Sequence, residues 1–374
     1  MRKIVEKRRK AYKYRLYPNK EQEAFLNRNF ECVRFIYNRM LSDKIAYYQS
    51  NGKMLHNTPA QYKLKFPWLK EADSLALANA QQNLETAFRN FFRDKSIGFP
   101  KYKSKKHSRK SYTTNNQNGT VCILDGKYIR LPKVGPVRVK LHRQIPSDHK
   151  IKQATISKDP SGKYYVSVLT EYSADIPEHD IDRDNVIGLD YSSPHFYVDH
   201  SGAAADMPHF FRSAEEKLSR EQRKLSKMVK DSANYKKQKR IVALAYEKVR
   251  HQRKDWIEKE SRRMADLYDA VCIEDLDMQN MEQGLHLGKA TADNAFGLFR
   301  TKLSCKLAEQ GKKLITIDKW FPSSKTCRFC GFVNADLRLN DRIWTCPCCC
   351  RSLNRDENAA INIRNKGLSL IFQS

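Results

Sequence analysis

Three apolar runs in this chain end on a carboxylate or open from one, and that pattern limits the possible fold more than any other feature. Val186-Ile187-Gly188-Leu189 is followed by Asp190, Ala270-Val271-Cys272-Ile273 is followed by Glu274, and Asp356 opens the stretch Arg355-Asp356-Glu357-Asn358-Ala359-Ala360-Ile361. A carboxylate beside buried apolar residues is costly unless something cationic meets it. Taken singly, each acid is the kind of residue that caps a helix or forms a turn. Taken together, a strand ending in Asp, a later strand ending in Glu and a helix beginning with Asp describe a sheet whose carboxylates gather at one edge. The candidate cations there are divalent metals, which such a group could hold for phosphodiester hydrolysis.

A chain of 374 residues is too long for one ordinary core, so two or more domains are expected. The formal net charge of +28 is spread along the sequence and calls for a polyanionic partner. Nucleic acid is preferred over anionic membrane, because no apolar run approaches the length of a spanning helix. The stretch from Met1 to Lys10 carries charge without a following apolar segment, which predicts no signal peptide and a place in the cytoplasm.

Periodicity divides the chain in two. Ala11 to Pro18 alternates apolar and basic residues and reads as a strand. Helical spacing follows, first in Phe25, Leu26, Val33, Ile36 and Met40, and again from Ser74 to Phe92. Lys101 to Lys110 is basic and poor in apolar residues, as a solvated or nucleic-acid-facing loop would be. From Tyr112 to Thr170 short alternating runs are separated by turn signals, which predicts a small antiparallel sheet or barrel that the first strand completes. Beyond Val186, strands end at Asp190 and Val198, and a long basic stretch from Ser213 to Tyr268 breaks near Asp231, predicting two antiparallel helices. The apolar run to Glu274, a glycine-containing loop, a helix from Phe296 to Glu309 and a strand from Lys313 to Ile317 complete the pattern.

The chain has 10 cysteines, and those with chemistry cluster late. Cys327 and Cys330 form one Cys-x-x-Cys knuckle, with Gly331 behind it for a tight turn, and Cys346 and Cys349 form another. Four thiolates so spaced can close a tetrahedral Zn²⁺ shell, and the polar loop between them could not hold a fold without one. Cys348 and Cys350 offer other registers for the second knuckle, but Cys346 and Cys349 keep the spacing. Cys32, Cys122, Cys272 and Cys305 read as packing residues. No pair of histidines stands one residue apart, and no Gly-x-x-x-x-Gly-Lys-Ser/Thr loop is present, so single-strand transposase and ATP-driven chemistry have no support.

Longer stretches resemble a known family. Tyr14–Pro18, Arg34–Asn38, Asn83–Phe88 and Gly98–Tyr102 match it, and the segments Trp320-Phe321-Pro322-Ser323-Ser324-Lys325-Thr326-Cys327 and Arg355–Ile363 match it most specifically. The chain resembles the OrfB/TnpB family of insertion-sequence-encoded, RNA-guided DNA nucleases, which are similar to type V CRISPR effectors. The resemblance implies a multidomain α+β fold: an RNase H-like RuvC nuclease domain with an inserted zinc ribbon, and a β-barrel wedge domain carrying a helical recognition insertion. The implied boundaries are 1–18 for the first wedge strand, 19–110 for the recognition lobe, 111–182 for the wedge, 183–326 and 351–374 for the nuclease, and 327–350 for the ribbon. It implies that Asp190, Glu274 and Asp356 form the catalytic trio on two Mg²⁺ ions, with one structural Zn²⁺ on Cys327, Cys330, Cys346 and Cys349. Its partners would be a guide RNA from the transposon end and double-stranded target DNA, with sequence read by base pairing and a short adjacent motif read on the duplex. Ser74, Asn79, Tyr112, Thr113, Thr114 and Asn115 fall in regions corresponding to that motif reader. The chain departs from the family in having Leu353-Asn354 where relatives carry His-Asp, which leaves Asp356 alone as the third acid. A DNA-binding repressor or transposition accessory that does not cut is the alternative reading.

Overall fold

The computed structural model describes residues 3–192, 194–276, 295–338 and 341–373. The glycine-containing loop expected after Glu274 falls mostly on 277–294, outside the described residues. The chain divides into two compact units, one of Glu6–Ala174 and one of Asp175–Ser374 with Met1–Val5.

The first unit is built on strands β1 (Lys3–Tyr17), β2 (Lys110–Asn115), β3 (Cys122–Leu124), β4 (Tyr128–Leu131), β5 (Gly135–Lys140), β6 (Lys150–Lys158) and β7 (Tyr164–Pro177). They form one sheet in the order β2-β6-β7-β1-β5-β4-β3. In β1 the alternation has its expected result: Tyr12, Tyr14 and Leu16 are buried while Lys13 and Tyr17 face out. The first strand therefore does complete the later sheet. The expected barrel, however, is not formed: β2 and β3 are the two edges of an open sheet, with no ladder joining them among the described residues. Alternation reports which face of a strand is buried, and an open sheet covered on one face has the same signature as a closed one.

Helices supply the cover. α1 (Lys20–Asn51), α2 (Pro59–Lys65) and α3 (Ser74–Arg93) fill the gap between β1 and β2, and α1 and α3 both pack against β2. α1 begins in a capping box, in which Asn19 accepts from the Gln22 N–H and the Gln22 side chain accepts from the Asn19 N–H. It ends at Gly52, whose φ of 66° suits a residue without Cβ. Leu26, Phe30, Val33, Tyr37, Met40 and Leu41 recur at helical spacing and join the sheet's buried face in one core.

The second unit has a five-stranded sheet of β8 (Val186–Tyr191), β9 (Tyr197–Asp199), β10 (Ala204–Ala205), β11 (Ala270–Glu274) and β12 (Lys313–Ile317), in the order β10-β9-β8-β11-β12. β8, β11 and β12 run parallel, and β9 returns antiparallel to β8. The helices are α4 (Phe210–Ser226), α5 (Ala233–Leu267), α6 (Phe296–Glu309) and α7 (Arg355–Phe372). α4 and α5 are the expected antiparallel pair, tied by Gln222 to the Tyr246 hydroxyl at 2.6 Å and by Gln238 to the Glu221 carbonyl at 3.0 Å.

Strand periodicity sorts the sheet onto two faces. Ile187, Leu189, Val271 and Ile273 pack with Ile257 and Met264 of α5 and with Phe299 and Leu303 of α6. Val186, Ala270, Cys272 and Ile317 pack with Ile363 of α7. Both faces of the central strands are thus buried, as parallel strands require. A small hairpin of β13 (Ile343–Thr345) and β14 (Ser352–Asn354) precedes α7. No helix among the described residues is long and apolar enough to cross a membrane.

Candidate metal centres

Asp190 and Glu274 share the α7 face of the sheet with the alternate residues Gly188 and Cys272. Cys272 pairs with Gly188 and Ile273 with Leu189, so Glu274 and Asp190 stand one step further along neighbouring strands, about 4.8 Å apart in the sheet direction. α7 crosses this face closely because two glycines permit it. A Cβ at Gly188 would lie 2.2 Å from the Ala360 carbonyl oxygen, and one at Gly367 would lie 2.1 Å from the Cys272 Sγ. Asp356 is one helical turn before Ala360, so the same close packing carries it toward Asp190. The structure therefore brings together the three acids that the sequence placed at element ends.

Their electrostatics agree with that placement. Burial pushes the Asp190 carboxyl well above its ordinary 3.8, and the charges of Glu274 and Asp356 push it the same way, against Arg355 and Arg342. Burial also raises Glu274 above its ordinary 4.5, opposed by the Ser323 hydroxyl that donates to its Oε1. Asp356 is held by Arg342 at 2.7 Å and by Arg355 at 3.1 Å. A group of half-buried acids whose charges raise the Asp190 carboxyl, offering oxygen ligands, suits a hard divalent cation.

The departure at Leu353-Asn354 has a local explanation. Asn354 is the N-cap of α7, its Oδ1 accepting from the N–H groups of Asp356 at 3.0 Å and Glu357 at 3.2 Å. Leu353 is buried with Cys327, Leu337, Trp344 and Cys346. One residue anchors the helix that carries Asp356, and the other fills the core of the neighbouring hairpin.

A second set of side chains, not singled out from the sequence, joins the acids to the cysteines. Asn358 and Asn362 lie four residues apart on α7 and are both buried. Asn358 donates to the Thr326 carbonyl at 2.7 Å, and Asn362 donates to the carbonyls of Ser323 at 2.8 Å and Thr326 at 2.6 Å. The Asn358 Oδ1 accepts from the Arg328 N–H at 3.0 Å. These bonds fix the loop whose Ser323 holds Glu274 and whose next turn begins at Cys327. The signal was available in the four-residue spacing of two amides on an otherwise apolar helix face.

Cys327, Cys330, Cys346 and Cys349 have all four Sγ atoms within 4.8 Å of one another, and among the described residues no other group of possible ligands is gathered so closely. The Cys327–Cys349 and Cys330–Cys346 sulfur separations are both 3.6 Å. A tetrahedral shell with Zn–S bonds near 2.3 Å sets its sulfurs about 3.8 Å apart. The donor set and its spacing therefore fit zinc. The two knuckles also have matching turns: Gly331 follows the first with φ 75°, and Cys350 follows the second with φ 55°. The sulfur cluster has the Cys346/Cys349 spacing, with Cys350 in the turn position and Cys348 exposed outside the cluster. Cys305, expected to pack, is instead exposed on α6.

The six residues from the motif-reading regions lie in the first unit. Asn79 of α3 donates to Asn115 of β2 at 3.4 Å, and the Thr113 hydroxyl meets that of Thr155 at 2.8 Å. Ser74 is exposed, and Thr113 and Asn115 are half-buried. Tyr112 and Thr114 are the alternate residues of β2 and point into the core.

Comparisons with known proteins cover most of this chain. The OrfB_IS605 family model, described as "Probable transposase", matches residues 167–284, and its helix-turn-helix companion matches 8–53. In this structure 8–53 holds β1 and the single helix α1, without a second helix. The Cas12f1-like TNB domain matches 296–363. A Streptomyces pristinaespiralis protein named "Putative RNA-guided DNA endonuclease" is 33% identical over 376 residues, spanning 98% of this chain and 91% of that one. The Escherichia coli K12 protein "Putative RNA-guided DNA endonuclease InsQ" is 27% identical, spanning 98% and 94%. Among solved structures, the Cas12f1 chain of a cryo-EM complex with sgRNA and target DNA has the same fold, with a TM-score of 0.57 at 14% identity over 97% of this chain and 99% of that chain.

Proposed function

The chain belongs to the OrfB/TnpB family, and on that premise we propose that it is a transposon-encoded, RNA-guided DNA endonuclease whose active site is Asp190, Glu274 and Asp356. The single observation that carries this reading is the meeting of those acids at the end of β8 and β11, beneath the first turn of α7. We read the five-stranded sheet with α5, α6 and α7 as the RuvC-like nuclease core. The boundaries are proposed as 183–326 and 351–374 for the nuclease, 327–350 for the ribbon, 19–110 for the recognition lobe, and 1–18 with 111–182 for the wedge, now an open sheet.

In this reading each residue has a stated task. Asp190 presents its carboxylate from a rigid central strand, and the Ser323 hydroxyl turns Glu274 toward it. Asp356 stands in the first turn of α7, where Arg342 and Arg355 hold its two oxygens. Two Mg²⁺ ions held by these carboxylates would supply activation of water and stabilisation of the leaving oxygen in phosphodiester hydrolysis. Arg342 and Arg355 keep Asp356 from moving and offset the summed negative charge that a phosphate must approach. The four cysteines hold Zn²⁺ as a structural ion, so the hairpin that carries Arg342 keeps its place.

The guide RNA would come from the transposon end and the target would be duplex DNA beside a short transposon-adjacent motif. Ser74, Asn79, Thr113 and Asn115 are the proposed readers of that motif, with Tyr112 and Thr114 supporting them from the core. The test is to purify the protein with its copurifying RNA, sequence that RNA, and incubate the complex with a plasmid bearing the matched target and Mg²⁺. The expected result is cleavage that Asp190→Ala abolishes while binding persists. Tight target binding without a nick in Mg²⁺ would replace this reading with that of a guide-directed repressor.

A further inference from the structure

The first turn of α7 carries a second carboxylate directly after Asp356. Glu357 accepts from Arg328 Nη1 at 2.6 Å, and both side chains are half-buried. Its other oxygen lies beside the turn between β9 and β10, where a Cβ at Gly202 would stand 3.6 Å away. β9 is the strand that pairs with Asp190, through Val198. Glu357 therefore stands between the first cysteine knuckle and the strand next to the metal acids.

Arg328 directly follows Cys327, and its place is fixed by more than Glu357. Its backbone N–H donates to Asn358 Oδ1 at 3.0 Å. Its guanidinium lies 4.8 Å from the centroid of the Phe329 ring, and the Arg351 guanidinium lies 4.2 Å from the same ring. Arg351 follows the second knuckle, where its carbonyl accepts from the Cys346 N–H at 2.9 Å. One aromatic ring thus holds a cation from each knuckle. The knuckles meet where four sulfurs gather for one ion, so a line of contacts runs from that ion's shell through Arg351, Phe329, Arg328 and Glu357 to the first turn of α7.

The first N–H groups of a helix have no partners within it, so the aim of a first turn depends on outside anchors. Asn354 caps this one, but a cap bonds within the turn and does not fix its rotation against the sheet. Arg342 and Arg355 hold Asp356 by the same oxygens that a metal needs. Glu357 is one residue on, about 100° around the helix, and Arg328 can hold it without touching those oxygens. We propose that Arg328 and Glu357 are positioning residues, which make the aim of Asp356, and through it Mg²⁺ affinity, depend on the closed ribbon. This role rests on the metal site of the functional reading and adds to it two residues that bind no metal.

Arg328→Ala and Glu357→Ala, singly and together, are compared with wild type as zinc-loaded, full-length protein without nucleic acid. Zinc per chain and the melting temperature in EDTA are measured first. The readout is the Mg²⁺ concentration that gives half of the Mg²⁺-dependent rise in melting temperature. The two substitutions change the local charge in opposite directions. If charge were all the pair supplied, losing the cation would tighten Mg²⁺ binding and losing the anion would weaken it. Positioning predicts that both single variants weaken it by about fivefold and that the double variant loses no more than the worse single one, because either change breaks the same contact. Tighter or unchanged binding in Arg328→Ala, or additive losses in the double variant, overturns the proposal. Loss of zinc from either single variant overturns it as well, since the pair would then serve the ribbon and not the acid. Phe329→Leu is the second variant if Arg328→Ala does not fold: it keeps both charges and must weaken Mg²⁺ binding by about two- to fivefold, and an unchanged affinity there overturns the proposal. No Mg²⁺-dependent rise in wild type would defeat the metal reading itself, whereas a rise that is the same in wild type and variants defeats the positioning role alone.

Discussion

A Cβ at Gly188 would stand 2.2 Å from the carbonyl oxygen of Ala360, so the backbone of α7 rests directly on that of β8. The contact lies two residues from Asp190 and one turn from Asp356, on the face the two acids share. Gly188→Ala must push the helix away, at a cost of about 1–3 kcal/mol for overpacking. The expected outcome is a lower melting temperature and a cleavage rate reduced at least tenfold, with RNA affinity unchanged. Wild-type cleavage by this variant would show that the close approach does not set the position of Asp356.

Much of this site was legible because it depends on local patterns. A strand of period two and a helix of period three to four place Asp190, Glu274 and Asp356 at element ends whatever the rest of the chain does. The four-thiolate cluster was legible for the same reason. Other features depend on contacts between distant segments. Arg342 reaches Asp356 only because β13 and β14 pair, and Ser323 reaches Glu274 only because two asparagines on α7 hold its loop. The barrel was misjudged because closure is decided at the edges of the sheet, where α1 and α3 lie against β2.

Ser323 offers a test by pH. Its hydroxyl bond favours the ionised form of Glu274, opposing the upward push of burial. Ser323→Ala removes that bond, so the Glu274 carboxyl rises further and stays protonated to higher pH. If cleavage requires ionised Glu274, the acidic limb of the pH–rate profile moves to higher pH in the variant. A profile that loses height without moving would mean that Ser323 acts only on the loop.

Asn362→Leu tests the loop itself. The change takes from the Ser323 carbonyl its short donor at 2.8 Å, while the Thr326 carbonyl loses one donor at 2.6 Å and keeps Asn358 at 2.7 Å. A buried carbonyl so orphaned costs about 1–3 kcal/mol. Stability should fall by about that amount, and cleavage should fall with it at saturating target, because Glu274 loses its fixed partner. Asn362→Asp, which has acceptors where the amide donated, should do no better. Full activity in either variant would remove the loop from the mechanism.

Asp190 makes the stability of the metal-free protein fall as pH rises above the ordinary carboxylate value. Its folded carboxyl is raised well above the ordinary 3.8, so between those values the folded state holds the proton that the unfolded state has lost. Stability from this group is therefore fully present below 3.8 and is lost as pH rises through the raised folded value. In EDTA, Asp190→Asn should melt higher than wild type at neutral pH and show a shallower decline with pH above the carboxylate range. Mg²⁺ should raise the melting temperature of wild type and leave the variant nearly unmoved. A variant that melts lower than wild type in EDTA would mean that the carboxylate is compensated in the folded protein after all.

The second knuckle carries a strain that the first avoids. Cys350 sits at φ 55° where the first knuckle has Gly331 at φ 75°, and a side chain in that region costs about 1 kcal/mol. Because Cys350 is exposed and outside the sulfur cluster, Cys350→Gly removes strain without removing a ligand. It should keep one zinc per chain and raise the melting temperature slightly, whereas Cys349→Ser and Cys346→Ser should release the metal and loosen the hairpin. Cys348→Ser should be silent in both measurements. Loss of zinc from Cys350→Gly, or its retention in Cys349→Ser, would move the register of the second knuckle by one residue and place the strained turn within the metal shell.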